Sequence, residues 1–256
     1  MPVRDLQSRA HVLLAGASSG IGLAATRLLL QDERVTRLHA VARRAGESEA
    51  LAELRAQHPD RVCLHSVDLC DPKAVDQLVG EVGAVSPTLD LLFNTCGLLH
   101  ADGMAPEKSL AQLRLDALQR SFAINAFAPI LLVQALLPLL PAKAPAVIAT
   151  LSARVGSIGD NALGGWYSYR AAKAAQNQLM RTLAVELKRS HPRACVLQLH
   201  PGTVETPLSA PFSARVPAGK LFSPEHSAAL LLQRIAEASP ADTGRFLGYD
   251  GSEIPW

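Results

Sequence analysis

VLLAGASSGIG (12–22) sets three glycines, Gly16, Gly20 and Gly22, directly after an apolar strand-like run and at the opening of a helix-like one. Such a junction supplies a tight turn, close approach of the backbone to a ligand, and a helix N-terminus whose free N–H groups meet negative charge. The spacing is GxxxGxG rather than GxGxxG, so its meaning comes from context: strand before, helix after, at the start of a βαβ unit. The expected ligand is the pyrophosphate of a dinucleotide.

Outward from this turn, apolar bursts alternate with helical patterns. Strands are expected at 11–15, 36–42, 61–67, 89–94, 145–152, 194–200 and 245–249, and helices at 21–31, 48–58, 72–82, 109–140, 166–190 and 224–238. The strands are continuous apolar runs rather than alternating ones, as in parallel sheets buried on both faces. Seven strands with intervening helices give an α/β fold, a doubly wound, mostly parallel sheet in a single domain over 1–256. Residues 201–223, with Pro201, Pro207, Pro211, Pro217 and Gly219, show no element of their own and are expected to form a substrate loop.

Composition narrows the function classes. A net charge of +2 with dispersed basic residues argues against nucleic acid. Cys63, Cys70, Cys96 and Cys195 have no CxxC pairing and the histidines are scattered, so reduced thiols and no metal are expected. MPVRDLQSRA (1–10) has no apolar core of a signal peptide, and PILLVQALLPLL (129–140) is short for a bilayer and broken by Gln134 and Pro138. The expectation is a cytoplasmic protein with no membrane partner.

The second strand ends in VARRAGES (41–48). A protein that holds the ribose 2′-hydroxyl of NAD carries a carboxylate here. This chain has Arg43 and Arg44, which would pair with a 2′-phosphate, so NADP(H) is the preferred cofactor and NAD(H) the alternative. In WYSYRAAKAA (166–175), Tyr169 and Lys173 are one helical turn apart, so phenol and ammonium share a face. The ammonium is expected to lower the phenol pKa toward working pH, as a proton donor to a carbonyl requires. With three tyrosines and six lysines, that spacing arises by chance about 7% of the time, so the pair gains weight only beside the glycine turn.

Together these residues resemble the short-chain dehydrogenase/reductase family over nearly the whole chain. GASSGIG (16–22), with Ser18, Ser19 and Ile21, is similar to its glycine motif, and Asp68 and Leu69 resemble its adenine-side pair. Asn94-Thr95-Cys96-Gly97 stands where the family has Asn-Asn-Ala-Gly, keeping the first and last residues. Asn125 in FAINAFAP resembles the helix asparagine, and Ser152, Tyr169 and Lys173 the remaining catalytic positions. Pro201, Gly202, Val204 and Thr206 look like the loop that contacts nicotinamide. SARVGSIGDNALGGWYSYRAAKAA (152–175) resembles sniffer-like carbonyl reductases and C-factor-like members.

The resemblance implies hydride transfer between NADP(H) and a small-molecule carbonyl or alcohol. Tyr169 would be the proton donor, Lys173 would bind the nicotinamide ribose, Ser152 would bond the carbonyl oxygen, and Asn125 would hold a water leading to Lys173. Ser152 lies seventeen residues before Tyr169, more than the family's usual interval, and Ser157 is the alternate. Ser152 is preferred because it caps a strand end, where open α/β sheets place their sites. A homodimer or homotetramer is expected. The rival reading is a non-catalytic NADP(H)-binding sensor or signal of the same fold. Trp166, the 201–223 loop and the tail Glu253-Ile254-Pro255-Trp256 suggest an apolar pocket or interface, with simple packing as the alternative.

Overall fold

Strand β1 (Ala10–Ala15) is buried nearly throughout because its apolar side chains point both ways. Val12 and Leu14 join one core layer with Leu29, Leu51 and Leu231, while Leu13 and Ala15 join a second with Leu78, Leu132 and Leu183. Each fully buried leucine of this kind stabilises the fold by about 1.5–3 kcal/mol. The computed structural model describes residues 3–6, 9–215, 217 and 219–256.

The other strands are β2 (Val35–Ala42), β3 (Val62–Ser66), β4 (Leu91–Asn94), β5 (Ala146–Leu151), β6 (Ala194–His200), β7 (Thr203–Val204), β8 (Leu221–Phe222) and β9 (Arg245–Gly248). Seven form one sheet in the order β3-β2-β1-β4-β5-β6-β9, every pairing parallel. The order reverses between β1 and β4, which opens a crevice beyond their C-terminal ends.

Helices cover both faces: α1 (Gly20–Leu30), α2 (Glu49–Gln57), α3 (Pro72–Val85), α4 (Leu115–Phe122), α5 (Ala128–Leu136), α6 (Tyr167–Ser190) and α7 (Pro224–Glu237). Local chemistry starts several of them. Ser48, Asp71 and Ser223 accept from Leu51, Lys73 and His226 N–H, and Pro72 and Pro224 open their helices where no N–H is needed.

Two expectations change. The stretch 109–140 is not one regular helix: a 3-10 turn at Leu110–Gln112 precedes α4, and a π-turn at Ala123–Phe127 separates α4 from α5. The helical run Leu115–Leu139 is 25 residues long and, by length and composition, apolar enough to cross a membrane, so the brevity of 129–140 does not exclude a span. Here Leu132, Val133 and Leu136 of that run lie in the core beside Leu183 and Leu187 of α6. Residues 201–223 also have elements of their own. β7 and β8 pair with each other, and Ala210–Arg215 forms a 3-10 turn; Val216 and Ala218 of that loop, like Met1, Pro2, Gln7 and Ser8, lie outside the described residues.

The tail is packing for β9. Leu247 bridges Glu253, Ile254 is buried, the Trp256 ring stacks on Phe246 at 5.7 Å, and Gly159 N–H donates to the Trp256 carbonyl at 2.8 Å. On the α3 side a polar chain runs from the interior to the surface: buried Ser86 Oγ to His39 at 2.8 Å, His39 to His65 at 3.0 Å, and His65 to the exposed Glu81 at 2.7 Å.

Candidate active site

The glycine turn is tight enough to require its glycines. Gly16 has φ +86°, and a Cβ there would meet Thr95 Oγ1 at 2.5 Å; a Cβ on Gly22 would meet the Gly16 carbonyl at 2.0 Å. Thr95, the middle of the altered Asn-Thr-Cys-Gly stretch, keeps its place by donating both N–H and Oγ1 to the Ala15 carbonyl at 2.8 Å. It thereby ties the end of β4 to the end of β1. Asn94 Oδ1 accepts Cys96 N–H at 3.1 Å. Ser19 stands at the N-cap of α1 without a side-chain cap bond, and the first turn holds no acidic residue, so an anion meets no competing charge there.

The later loop comes over this turn. A Cβ on Gly20 would lie 3.0 Å from Thr206 Cγ2. Gly202 has φ +79° and packs its backbone on Phe222, whose ring meets Tyr249 edge-on at 4.8 Å. Pro201 holds α7 by accepting Ser227 Oγ at 2.9 Å, and Val204 is buried. After β3, Asp68 is exposed and accepts Cys70 N–H at 2.9 Å, and Leu69 packs against the core. Arg43 and Arg44 are both exposed; Arg44 pairs with Glu47 at 3.7 Å, whereas the Arg43 charge bears on Cys70 and Cys96.

Tyr169 and Lys173 are both buried on α6, and Lys173 reaches the end of β5 and the segment after β4. Lys173 is 2% exposed, and its ammonium donates to the Leu151 carbonyl at 2.8 Å and Gln176 Oε1 at 2.9 Å. A Cβ on Gly97 would lie 4.0 Å from Lys173 Nζ, and one on Gly156 would lie 2.8 Å from Lys173 Cβ. Burial lowers the Lys173 pKa to about 7. The expected effect on the tyrosine is not what this state shows: burial raises the Tyr169 phenol well above its usual range, with the ammonium 5.9 Å from the ring centroid. Desolvation outweighs attraction here, and the phenol holds its proton.

Asn125 lies in the π-turn, fully buried. Its Oδ1 accepts Leu98 N–H at 2.9 Å, and its Nδ2 donates to the Leu98 carbonyl at 2.7 Å and Ser121 Oγ at 3.2 Å. Both amide hydrogens are committed, so a water held by this side chain would donate to Oδ1; Asn125 also clamps the segment after Gly97. Ser152, 3% exposed, donates to Asn177 Oδ1 at 2.7 Å, while Asn177 Nδ2 is buried and has no partner among the described residues. Exchanging the amide O and N lets Nδ2 donate to Ser152 and frees the serine proton for a substrate. Ser157 is also buried and accepts Asp160 N–H at 3.1 Å.

Several residues here carried no signal in the sequence. Gln176 and Asn177 had one, lying three and four residues after Lys173 on its helix face. The Trp166 ring meets Tyr169 at 6.4 Å and Phe212 at 5.0 Å, and Phe212 meets His100 at 6.3 Å, which builds an aromatic wall beside the phenol. Glu107, buried under the start of α6, had no pattern at all.

A tight glycine turn at the sheet's switch point, with a buried tyrosine and lysine on α6, is an arrangement that oxidoreductases of the doubly wound fold use. Residues 10–216 match the short chain dehydrogenase family, and the chain belongs to it. It is 33% identical over 190 residues, 74% of this chain and 78% of the other, to the 1-hydroxy-2-glutathionyl-2-methyl-3-butene dehydrogenase of Rhodococcus sp.. To the C-signal protein of Myxococcus xanthus it is 37% identical over 138 residues, 54% of this chain and 77% of that one. Among solved structures, the carbonyl reductase Sniffer of D. melanogaster superposes with a TM-score of 0.85 at 26% identity, covering 97% of this chain and all (100%) of that one. The NADPH-bound carbonyl reductase from chicken fatty liver gives 0.84 at 26% identity with the same coverage, 97% and 100%.

Proposed function

We propose that this chain is an NADP(H)-dependent carbonyl reductase that acts on a small carbonyl or the corresponding alcohol, with Tyr169 as proton donor. The observation that supports this most is the buried Lys173 ammonium, 4.0 Å from where a Cβ on Gly97 would lie and on the same helix as the buried Tyr169, with the glycine turn packed on Thr95 at the end of the neighbouring strand. The cofactor fits the residues present: a cradle that Cβ atoms would fill, a helix N-terminus without acidic residues, and arginines where a carboxylate would stand. NADPH-bound relatives of the same fold support the choice of cofactor.

Gly16, Ser18, Ser19, Gly20, Ile21 and Gly22 would hold the pyrophosphate. Arg43 and Arg44 would take the 2′-phosphate, Asp68 and Leu69 would flank the adenine, and Asn94 and Gly97 would back the ribose. Lys173 would bind the nicotinamide ribose, with Tyr169 beside it. Pro201, Gly202, Val204 and Thr206 would line the nicotinamide. When bound, the cofactor supplies the hydride. Tyr169, neutral and desolvated, gives its proton to the developing alkoxide. Ser152, once Asn177 donates to it, bonds the same oxygen, a stabilisation of about 10²–10³ in rate. Asn125 fixes the Leu98 backbone that walls the site. The domain spans 1–256 with 201–223 as substrate loop, and we infer a cytoplasmic homodimer or homotetramer without nucleic-acid or membrane partners.

A carbonyl panel with NADPH tests this. Tyr169→Phe should remove activity and leave NADPH affinity within a few-fold; residual turnover of about a tenth or more rules the role out. In the same assay Ser152→Ala should lower kcat by about tenfold or more, and Ser157→Ala by much less. The C-signal relative favours a second reading, a non-catalytic NADP(H)-binding signal protein. NADPH binding without turnover of any carbonyl would support it.

A further inference from the structure

The first turn of α6 is held by a residue from the β4–α4 connection. Gly164, Gly165 and Trp166 all lie in the left-handed region, at φ +65°, +66° and +53°, and Trp166 occupies the N-cap without a side-chain cap bond. Glu107 does the capping. Its carbonyl accepts Trp166 N–H at 2.5 Å, its carboxylate accepts Ser168 N–H at 3.2 Å, and the Ser168 hydroxyl donates to the same carboxylate.

Ser168 is the residue before Tyr169. Its carbonyl accepts Ser121 Oγ at 3.2 Å, and Ser121 accepts from Asn125, which clamps Leu98. Glu107, Ser168, Ser121 and Asn125 thus form one buried chain from the start of α6 to the segment after Gly97. Glu107 is only 2% exposed, and a buried carboxylate is costly unless hydrogen-bonded. A serine or aspartate at 166 would cap the helix at less cost. A cap delivered from the β4–α4 connection does something a local cap does not: it references the tyrosine to the cofactor edge of the sheet.

We propose that Glu107 is a positioning residue for the Tyr169 hydroxyl, acting through Ser168 to hold the first turn of α6 against the site. This rests on Tyr169 being the proton donor. Misplacement of an acid by about 1 Å is enough to cost on the order of 10²-fold in rate, so loss of the cap should appear in the chemical step and not in cofactor binding.

The test is steady-state kinetics of the full chain with NADPH and the best carbonyl from the panel, for wild type, Tyr169→Phe, Glu107→Ala, Glu107→Gln and Ser168→Ala. NADPH Kd is measured by cofactor fluorescence and folding by thermal melts. Glu107→Ala should lower kcat by about tenfold or more with Kd within about twofold. Glu107→Gln should recover kcat to within about threefold of wild type, because its carbonyl oxygen can still accept Ser168 N–H. Where Glu107→Ala does not fold, Ser168→Ala decides: it keeps the backbone bond and should still lower kcat by about threefold or more. A kcat near wild type in both the alanine variants, an equal loss of kcat and NADPH affinity, or no recovery with glutamine overturns the proposal. If Tyr169→Phe is inactive and Glu107→Ala unimpaired, only the positioning role falls. Turnover retained by Tyr169→Phe removes the reductase reading and this proposal together.

Discussion

Arg44 reaches Glu47 at 3.7 Å, so part of its charge is already answered within the protein, whereas Arg43 directs its field at Cys70 and Cys96 beside the crevice. A 2′-phosphate should therefore draw mainly on Arg43. A hydrogen bond to a charged group contributes about 1.5–3 kcal/mol, which converts to roughly tenfold or more preference for NADPH over NADH. Arg43→Asp should invert the preference, because the new carboxylate repels phosphate and accepts ribose hydroxyls, while Arg44→Ala should change it by less. Kd values for both cofactors check this, and equal affinities in the unmodified chain would mean that both guanidiniums serve only the solvent. The two arginines were legible as a pair in VARRAGES. The difference in their surroundings was not, since it depends on where Glu47 and the cysteines fall in space.

At the scale of elements, the start of α6 shows how a turn and a helix share their strain. Left-handed backbone costs a residue with a side chain roughly 1–2 kcal/mol, which glycine avoids. Trp166 bears it at φ +53° and receives the Glu107 bond and the Tyr169 and Phe212 ring contacts in return. Gly165 has no such latitude: a Cβ there would lie 3.3 Å from the Glu107 carbonyl at φ +66°. Gly165→Ala should therefore cost about 1–2 kcal/mol and lower Tm by roughly 2–8 °C, read from thermal melts. An unchanged Tm would show that the turn relaxes freely. The presence and approximate extent of the seven sheet strands and of α6, and the glycine turn, could be read from the chain because each is written in neighbouring residues, whereas the order of the strands in the sheet is not. The π-turn could not. Within it Asn125 grips Leu98, 27 residues away, and no local pattern records that grip. Glu107 escaped for the same reason, being 61 residues from Ser168.

For the molecule as a whole, the interior histidines make stability depend on acid. Burial lowers His39 to about 3, with His65 adding to the effect, and lowers His200 to about 4. Both are neutral when folded and protonated when unfolded below about 6.5. The unfolded chain then binds more protons, so stability falls as pH drops from 6.5 toward these folded values. Between pH 7 and 5 each histidine should remove about 2 kcal/mol, seen as a lower urea midpoint, and His39→Gln should remove one share of that slope. A midpoint that holds or rises toward pH 5 would show that His39 and His200 accept protons in the folded chain without cost. The remote cap on α6 has a different kind of consequence, one visible in deuterated water. Amides in the first turn of a helix ordinarily lose their hydrogens to solvent quickly, because nothing within the helix holds them. Trp166 and Ser168 give theirs to Glu107, and Leu98 gives its own to Asn125. These three amides should exchange slowly and at a common rate, through one opening of the buried chain that joins them, so the start of α6 and the loop beyond β4 breathe as one body.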